Sequence, residues 1–156
     1  MSGADAPATR GRRGARRLAL QAVYQWLVAG GEPGSIVAEF LSEQNAADVD
    51  RDYFRELAGT CLREAAALDE RLAPALDRPP MEVDPVEHAI LLLGVAELRD
   101  RQELAVSVVI NEAVELAKAF GADNGHRFVN GVLDRLAGEL RPLERPAARR
   151  GGGGSG

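Results

Sequence analysis

From Leu18 to Leu140 apolar residues recur at three- and four-residue intervals, and no stretch of useful length alternates apolar with polar residues. A helix gathers positions i, i+3, i+4 and i+7 on one face, whereas a half-buried strand needs a period of two. The chain is therefore expected to be all-α. Leu18, Ala22 and Trp26, flanked by Ala19, Val23 and Leu27, mark a first helix that starts near Arg12 and closes at Gly30-Gly31. Ile36, Val37, Phe40 and Leu41 mark a shorter one after Pro33-Gly34. A third carries Tyr53, Phe54, Leu57, Cys61, Leu62 and Leu68, with Asp48 or Asp50 as its cap.

Pro79-Pro80 then interrupts the pattern, with Pro74 ending or kinking the preceding helix, so a seam between two small helical sub-bundles is expected near residues 78–82. Asp84-Pro85-Val86-Glu87 is a helix start: a capping acid, a proline at the first helical position, and a glutamate three residues after the cap. Ile90, Leu91, Leu93, Gly94 and Leu98 continue that helix. Val109, Ala113, Leu116, Ala117 and Phe120 form the next stripe, ended by Gly121. The last helix starts near Asp123 and carries Phe128, Val129, Val132, Leu133, Leu136 and Leu140 before Pro142. About six to seven helices result, spanning residues 12–142. Residues 1–11 read as a flexible arm, and residues 143–156, with their glycine-rich end, as a disordered tail.

Several function classes drop out. One cysteine cannot make an internal disulfide, and with two distant histidines it cannot make a zinc cluster, so neither a metal nor another cofactor is expected. No apolar run reaches the roughly 18 residues of a membrane helix, and the charged N-terminus has no signal-peptide core, so a cytoplasmic protein is expected. The glycines spell neither a phosphate-binding loop nor a dinucleotide fingerprint. Asn111, Glu112 and Glu115 read as a solvated helix face rather than catalytic carboxylates, so no enzyme is expected.

The formal charge of −5 argues against a generic nucleic-acid binder, yet its distribution is uneven. Arg10, Arg12, Arg13, Arg16 and Arg17 fall within eight positions with no acid among them. Guanidinium groups grip phosphates and stack on bases, although a basic run can also be only solubilising. At a helix start such cations oppose the macrodipole, at a cost of roughly 0.3–1 kcal/mol for each in the first turn. A bound phosphate would remove that cost, which favours the RNA reading for Arg12, Arg13, Arg16 and Arg17.

Two stretches, Ala15 to Trp26 (ARRLALQAVYQW) and Val109 to Gly121 (VINEAVELAKAFG), followed by Arg127 to Asp134 (RFVNGVLD), closely resemble the NusB family. Asp52-Tyr53-Phe54-Arg55, Val86 to Leu91, and Glu97-Leu98 fall in the family's order, so the resemblance runs from about Arg12 to Pro142. It implies a compact fold of two small helical bundles. It also implies binding to the boxA element of nascent ribosomal and antiterminator RNA, together with a ribosomal small-subunit protein that acts as an elongation factor. That assembly helps RNA polymerase read through terminators. The resemblance places the partner on the C-terminal sub-bundle and leaves monomer or homodimer open. Two alternatives stay in view: a NusB-like domain detached from an RNA cytosine methyltransferase, and an interaction scaffold without RNA binding.

By the same resemblance Glu87, Asn124 and Phe128 lie on the RNA-facing side. Each also has a local reading. Glu87 could accept from a base amino group or complete a capping box with Asp84. Asn124 could donate to RNA or serve the helix start. Phe128 could be a stacking platform, or a core residue in line with Val132 and Leu136. Tyr24 reads as a rim or core aromatic. The chain departs from the family at Leu92, where an arginine is common, and at Ala96, where a tyrosine is. The first departure removes a candidate RNA cation.

Overall fold

The computed structural model describes residues 7–42 and 48–144. Within these residues are seven α-helices and two 3-10 turns, with no strand, as the apolar periodicity requires. Residues 1–6 of the expected arm and 145–156 of the expected tail lie outside the described residues.

The chain divides into two compact units, one ending at Ala66 and one beginning at Ala67. The first holds helices α1 (Pro7–Ala29), α2 (Pro33–Ser42) and α3 (Arg51–Arg63), each packed on the other two. α1 begins five residues before the position read from the sequence, so residues 7–11 are helical rather than part of an arm. Pro7 fits the first helical turn because its φ is already set and its missing N–H has no partner there in any case. Gly11 does not stop the helix: its carbonyl accepts from the Asp50 N–H at 3.0 Å. The helix closes where expected, with Gly30 and Gly31 at φ +74° and +125° and the Trp26 indole donating to the Gly31 carbonyl at 3.1 Å. Of the two candidate caps for α3 it is Asp50 that accepts from the Tyr53 N–H, at 3.0 Å.

The unit boundary falls in the first turn of α4 (Ala65–Leu72), about a dozen residues before the expected seam at 78–82. Pro79-Pro80 does break the helical pattern. The chain there stays inside the second unit, because the 3-10 turn Pro80–Glu82 packs on α5 (Pro85–Asp100) and the turn Ala73–Ala75 packs on α7 (Gly125–Leu140). α6 (Val106–Phe120) packs on both α5 and α7. Asp84 caps α5, accepting from the Val86 N–H at 2.9 Å and the Glu87 N–H at 3.4 Å. Every residue of α5 from Glu87 to Leu98 is buried. That matches the nearly unbroken apolar run and marks α5 as a core helix, without the polar face of a surface one. Gly94 lets α7 come close, since a methyl group there would stand 2.8 Å from the Leu133 side chain.

A feature absent from the sequence reading closes the second unit. Arg141, just past α7 and 4% exposed, donates to the carbonyls of Leu98 (2.7 Å), Leu104 (2.9 Å) and Arg101 (2.9 Å), and pairs with Glu144 at 2.9 Å. Glu144 in turn accepts from the Val106 N–H at 2.8 Å, where α6 begins without a side-chain cap of its own. The planar, multi-donor guanidinium thus satisfies carbonyls that the end of α5 leaves open. Arg141→Ala is expected to destabilise the fold by about 3 kcal/mol, because those acceptors stay buried and lose a charged donor. Arg141→Lys should recover little of the loss, having one point charge in place of a fork. Urea unfolding of the three proteins checks both expectations.

Candidate nucleic-acid interface

The five arginines of α1 lie on two different faces, as a period of 3.6 residues dictates. Arg12 and Arg16, one turn apart, both turn to Tyr53 of α3. Their guanidinium carbons lie 4.5 and 5.4 Å from the ring centroid, and Arg16 Nη2 donates to the tyrosine hydroxyl at 3.5 Å. Arg16 is only 5% exposed. It is the least accessible of the α1 arginines, and its guanidinium stacks on a ring that joins α1 to α3.

Arg10, Arg13 and Arg17, at i, i+3 and i+7, line instead an open groove of about 810 Å³ between the start of α1 and residues 48–50. At one side of it α1 sits close to that segment. A methyl group on Gly14 would lie 3.2 Å from Val49, and one on Gly11 would lie 3.5 Å from Asp50. Since α1 starts at Pro7, only Arg10 falls in its first turn, and the dipole cost for the other arginines largely disappears. Arg10, Arg13 and Arg17 are exposed, Arg12 is half-buried and Arg16 is buried.

In the second unit Glu87, Asn124 and Phe128 do come together, around the start of α7. Glu87 is 9% exposed, and its carboxylate reaches the backbone of that start, facing the Ala122 N–H and lying against Gly125, where a β-carbon would make the carboxylate shift. This is neither a capping box with Asp84 nor a group open to a base. It is an anchor for the loop before α7. Burial pushes the Glu87 carboxyl above its usual range, helped by the nearby charge of Asp84, while the Ala122 N–H and the charge of Arg78 oppose the rise. Asn124, exposed, adopts φ +65° and gives α7 no side-chain cap. The left-handed region tolerates asparagine better than most residues, so its helix-start role is conformational.

Phe128 sits beside the buried stripe of α7, which runs through Gly125, Val129, Val132, Leu133 and Leu136. It is half-buried, and the Arg78 guanidinium lies over its ring at 5.4 Å. The core alternative read from the i, i+4, i+8 spacing does not hold, because Val132 and Leu136 are buried and Phe128 is not. Sequence reasoning misses Arg78. It precedes Pro79-Pro80 and is absorbed into the break, and its partnership with a ring fifty residues away leaves no local signal. Tyr24 is a rim aromatic, 41% exposed, and Leu92 and Ala96 are buried at 0% and 2%.

A carboxyl whose pKa is raised in the folded state favours folding only when protonated. That stabilisation is complete below the unfolded value and is lost as pH rises through the folded one. Glu87→Gln, which keeps an oxygen for the Ala122 N–H, is therefore expected to be at least as stable as the parent at pH 7. Its advantage should vanish as the pH falls below the raised pKa. Thermal melts of both proteins from pH 3.5 to 7.5, roughly, test the sign.

The fold and these residues define a small all-helical protein with an arginine-lined groove in one unit and an arginine–phenylalanine pair in the other. The family model described as "NusB family" matches residues 13–138. The chain is 55% identical over 125 residues to the transcription antitermination protein NusB of Shewanella amazonensis, covering 80% of this chain and 93% of that protein. It is 51% identical over 138 residues to that of Alcanivorax borkumensis, covering 88% and 92%. Among solved structures, NusB of T. maritima superposes with a TM-score of 0.75 at 27% identity over 86% of this chain and 95% of that one. NusB in a crystal structure of the antitermination factors NusB and NusE in complex with dsRNA gives 0.76 at 30% identity, over 83% and 98%. The chain belongs to the NusB family.

Proposed function

We propose that this chain is a transcription antitermination factor. It binds the boxA element of nascent ribosomal RNA together with a ribosomal small-subunit protein, and the assembly assists read-through by RNA polymerase in the cytoplasm. It acts by binding and carries no catalytic step. The observation that carries this reading is the likeness, across nearly the whole chain, to proteins named for antitermination and to a NusB seen with NusE and RNA. Coverage of 92–93% of the curated relatives favours it over a detached methyltransferase domain.

Within that reading Arg13 and Arg17, with Arg10 beside them, grip backbone phosphates from the α1 groove. Phe128 with Arg78 over its ring forms a platform on which an unpaired base stacks. Asn124 offers an uncharged amide at the edge of that platform. Glu87 holds the loop that carries Asn124 and is a positioning residue. Arg12 and Arg16 act through Tyr53, by keeping the first turns of α1 in place.

The overall test is binding to a boxA oligonucleotide with and without the ribosomal partner, at two salt concentrations. One basic groove on a chain of net charge −5 is a small footing for tight binding alone, so the partner is expected to raise RNA affinity. Equal affinity with and without it would overturn the adaptor role. Arg13→Ala/Arg17→Ala is expected to flatten the log–log salt dependence by about 0.7 for each phosphate of a single strand that is no longer neutralised. Arg16→Ala should leave that slope alone and lower the unfolding free energy by about 1–3 kcal/mol, through removal of the stack and of the packing of its stem. An unchanged slope in the double variant would return the cluster to solubility.

Phe128→Ala separates stacking from packing. Removing the ring is expected to weaken RNA binding by about 1–3 kcal/mol, roughly 5- to 150-fold, with little change in melting. Early melting with normal RNA affinity at a temperature where the variant is folded would remove Phe128 from the site.

A further inference from the structure

The first unit carries a second groove, between α2 and α3, that shares no lining residue with the arginine groove of α1. It encloses about 530 Å³. Its floor is aliphatic, formed by Val37, Ala38 and Leu41 of α2, and its other wall carries Arg51, Arg55 and Arg63 of α3. Arg51 and Arg55 are one helical turn apart, about 6 Å along the axis. Arg63 lies two turns further on, but its guanidinium folds back over Gly59, where a methyl group would stand only 2.7 Å from it. Side chains on a helix lean toward its N-terminus, and a glycine at that spot lets this one lie flat along the groove.

Three cations are thus drawn into one row on a chain whose net charge is −5. Among the described residues Arg51 and Arg63 have no acidic partner, and Arg55 has only Asp52, an exposed pair at 2.8 Å that a better-placed carboxylate can displace. Like charges gathered beside an apolar floor leave two needs at once, an anion every turn and aliphatic cover between. An RNA strand would meet the first alone, because no aromatic ring lines the groove for its bases to stack on. An amphipathic acidic peptide meets both.

We propose that the α2–α3 groove docks an acidic amphipathic segment of a partner protein, its aliphatic side chains on Val37, Ala38 and Leu41 and its carboxylates on Arg51, Arg55 and Arg63. The proposal does not depend on the antitermination reading, since it uses none of the residues assigned to RNA.

The test uses the full chain and a fluorescein-labelled 16-residue peptide with leucines at helical i, i+3, i+4 and i+7 positions and glutamates between them. A scrambled peptide of the same composition is the control. Fluorescence anisotropy is expected to show the patterned peptide binding at least tenfold tighter than the scrambled one. Arg51→Glu/Arg55→Glu/Arg63→Glu should weaken it at least tenfold. Ala38→Glu, which places a like charge on the exposed floor and leaves the arginines untouched, should weaken it as well while circular dichroism stays unchanged. Equal binding of the two peptides, or undiminished binding by both variants, overturns the proposal. So does a single-stranded oligouridylate that binds the parent but not the triple variant, which would make the row an RNA-binding surface. Self-association of the parent, abolished in the triple variant with no peptide present, would give the groove to a second copy of the chain and overturn it too.

Discussion

A carboxylate held out of water where α5 begins decides how the second unit presents its candidate surface. Burying Glu87 is costly unless something donates to it, and the donor within reach is the Ala122 N–H in the loop before α7. The loop meets the carboxylate at position 125, where the absence of a side chain leaves room for its oxygens. Asn124 takes up the resulting left-handed turn at φ +65°, and α7 starts from Gly125. One turn later Phe128 emerges beside the buried stripe instead of on it, with its ring under the Arg78 guanidinium. Arg78 contributes twice, since its charge also favours the ionised form of Glu87.

The first unit solves a different problem, how to place many like charges on one short stretch of helix. Helical rotation separates the five arginines of α1 into a pair facing Tyr53 and a trio facing the groove at residues 48–50. Stacking on the ring holds the Arg16 guanidinium in place as it is buried. A lysine in place of Arg16 would be a poorer substitute, being a strongly hydrated point charge with no plane to lay on the ring.

Periodicity and caps made the fold legible. The stripes, the closure at Gly30-Gly31, the start at Asp84-Pro85 and the stop at Gly121 are all written within one or two helical turns of where they act. What could not be read was non-local. The unit boundary at Ala66–Ala67 has no proline or glycine to announce it, whereas Pro79-Pro80 announces a break that tertiary packing absorbs. Arg141, Arg78 and Tyr53 owe their roles to partners 37 to 50 residues away, and nothing in their immediate neighbours records it. The arginine cluster was legible as a cluster. Its division into inward and outward members needed the position of Tyr53.

The two departures from the family pattern bear on where positive charge can come from. Leu92 and Ala96 are buried within the core helix α5, so their side chains take part in packing and offer nothing to a ligand. Reintroducing an arginine at Leu92 would require either burying a charge or rearranging that helix, and the first costs several kcal/mol without a partner. Exposed cations of the α1 groove in one unit and Arg78 in the other therefore stand beside the candidate site without any contribution from position 92.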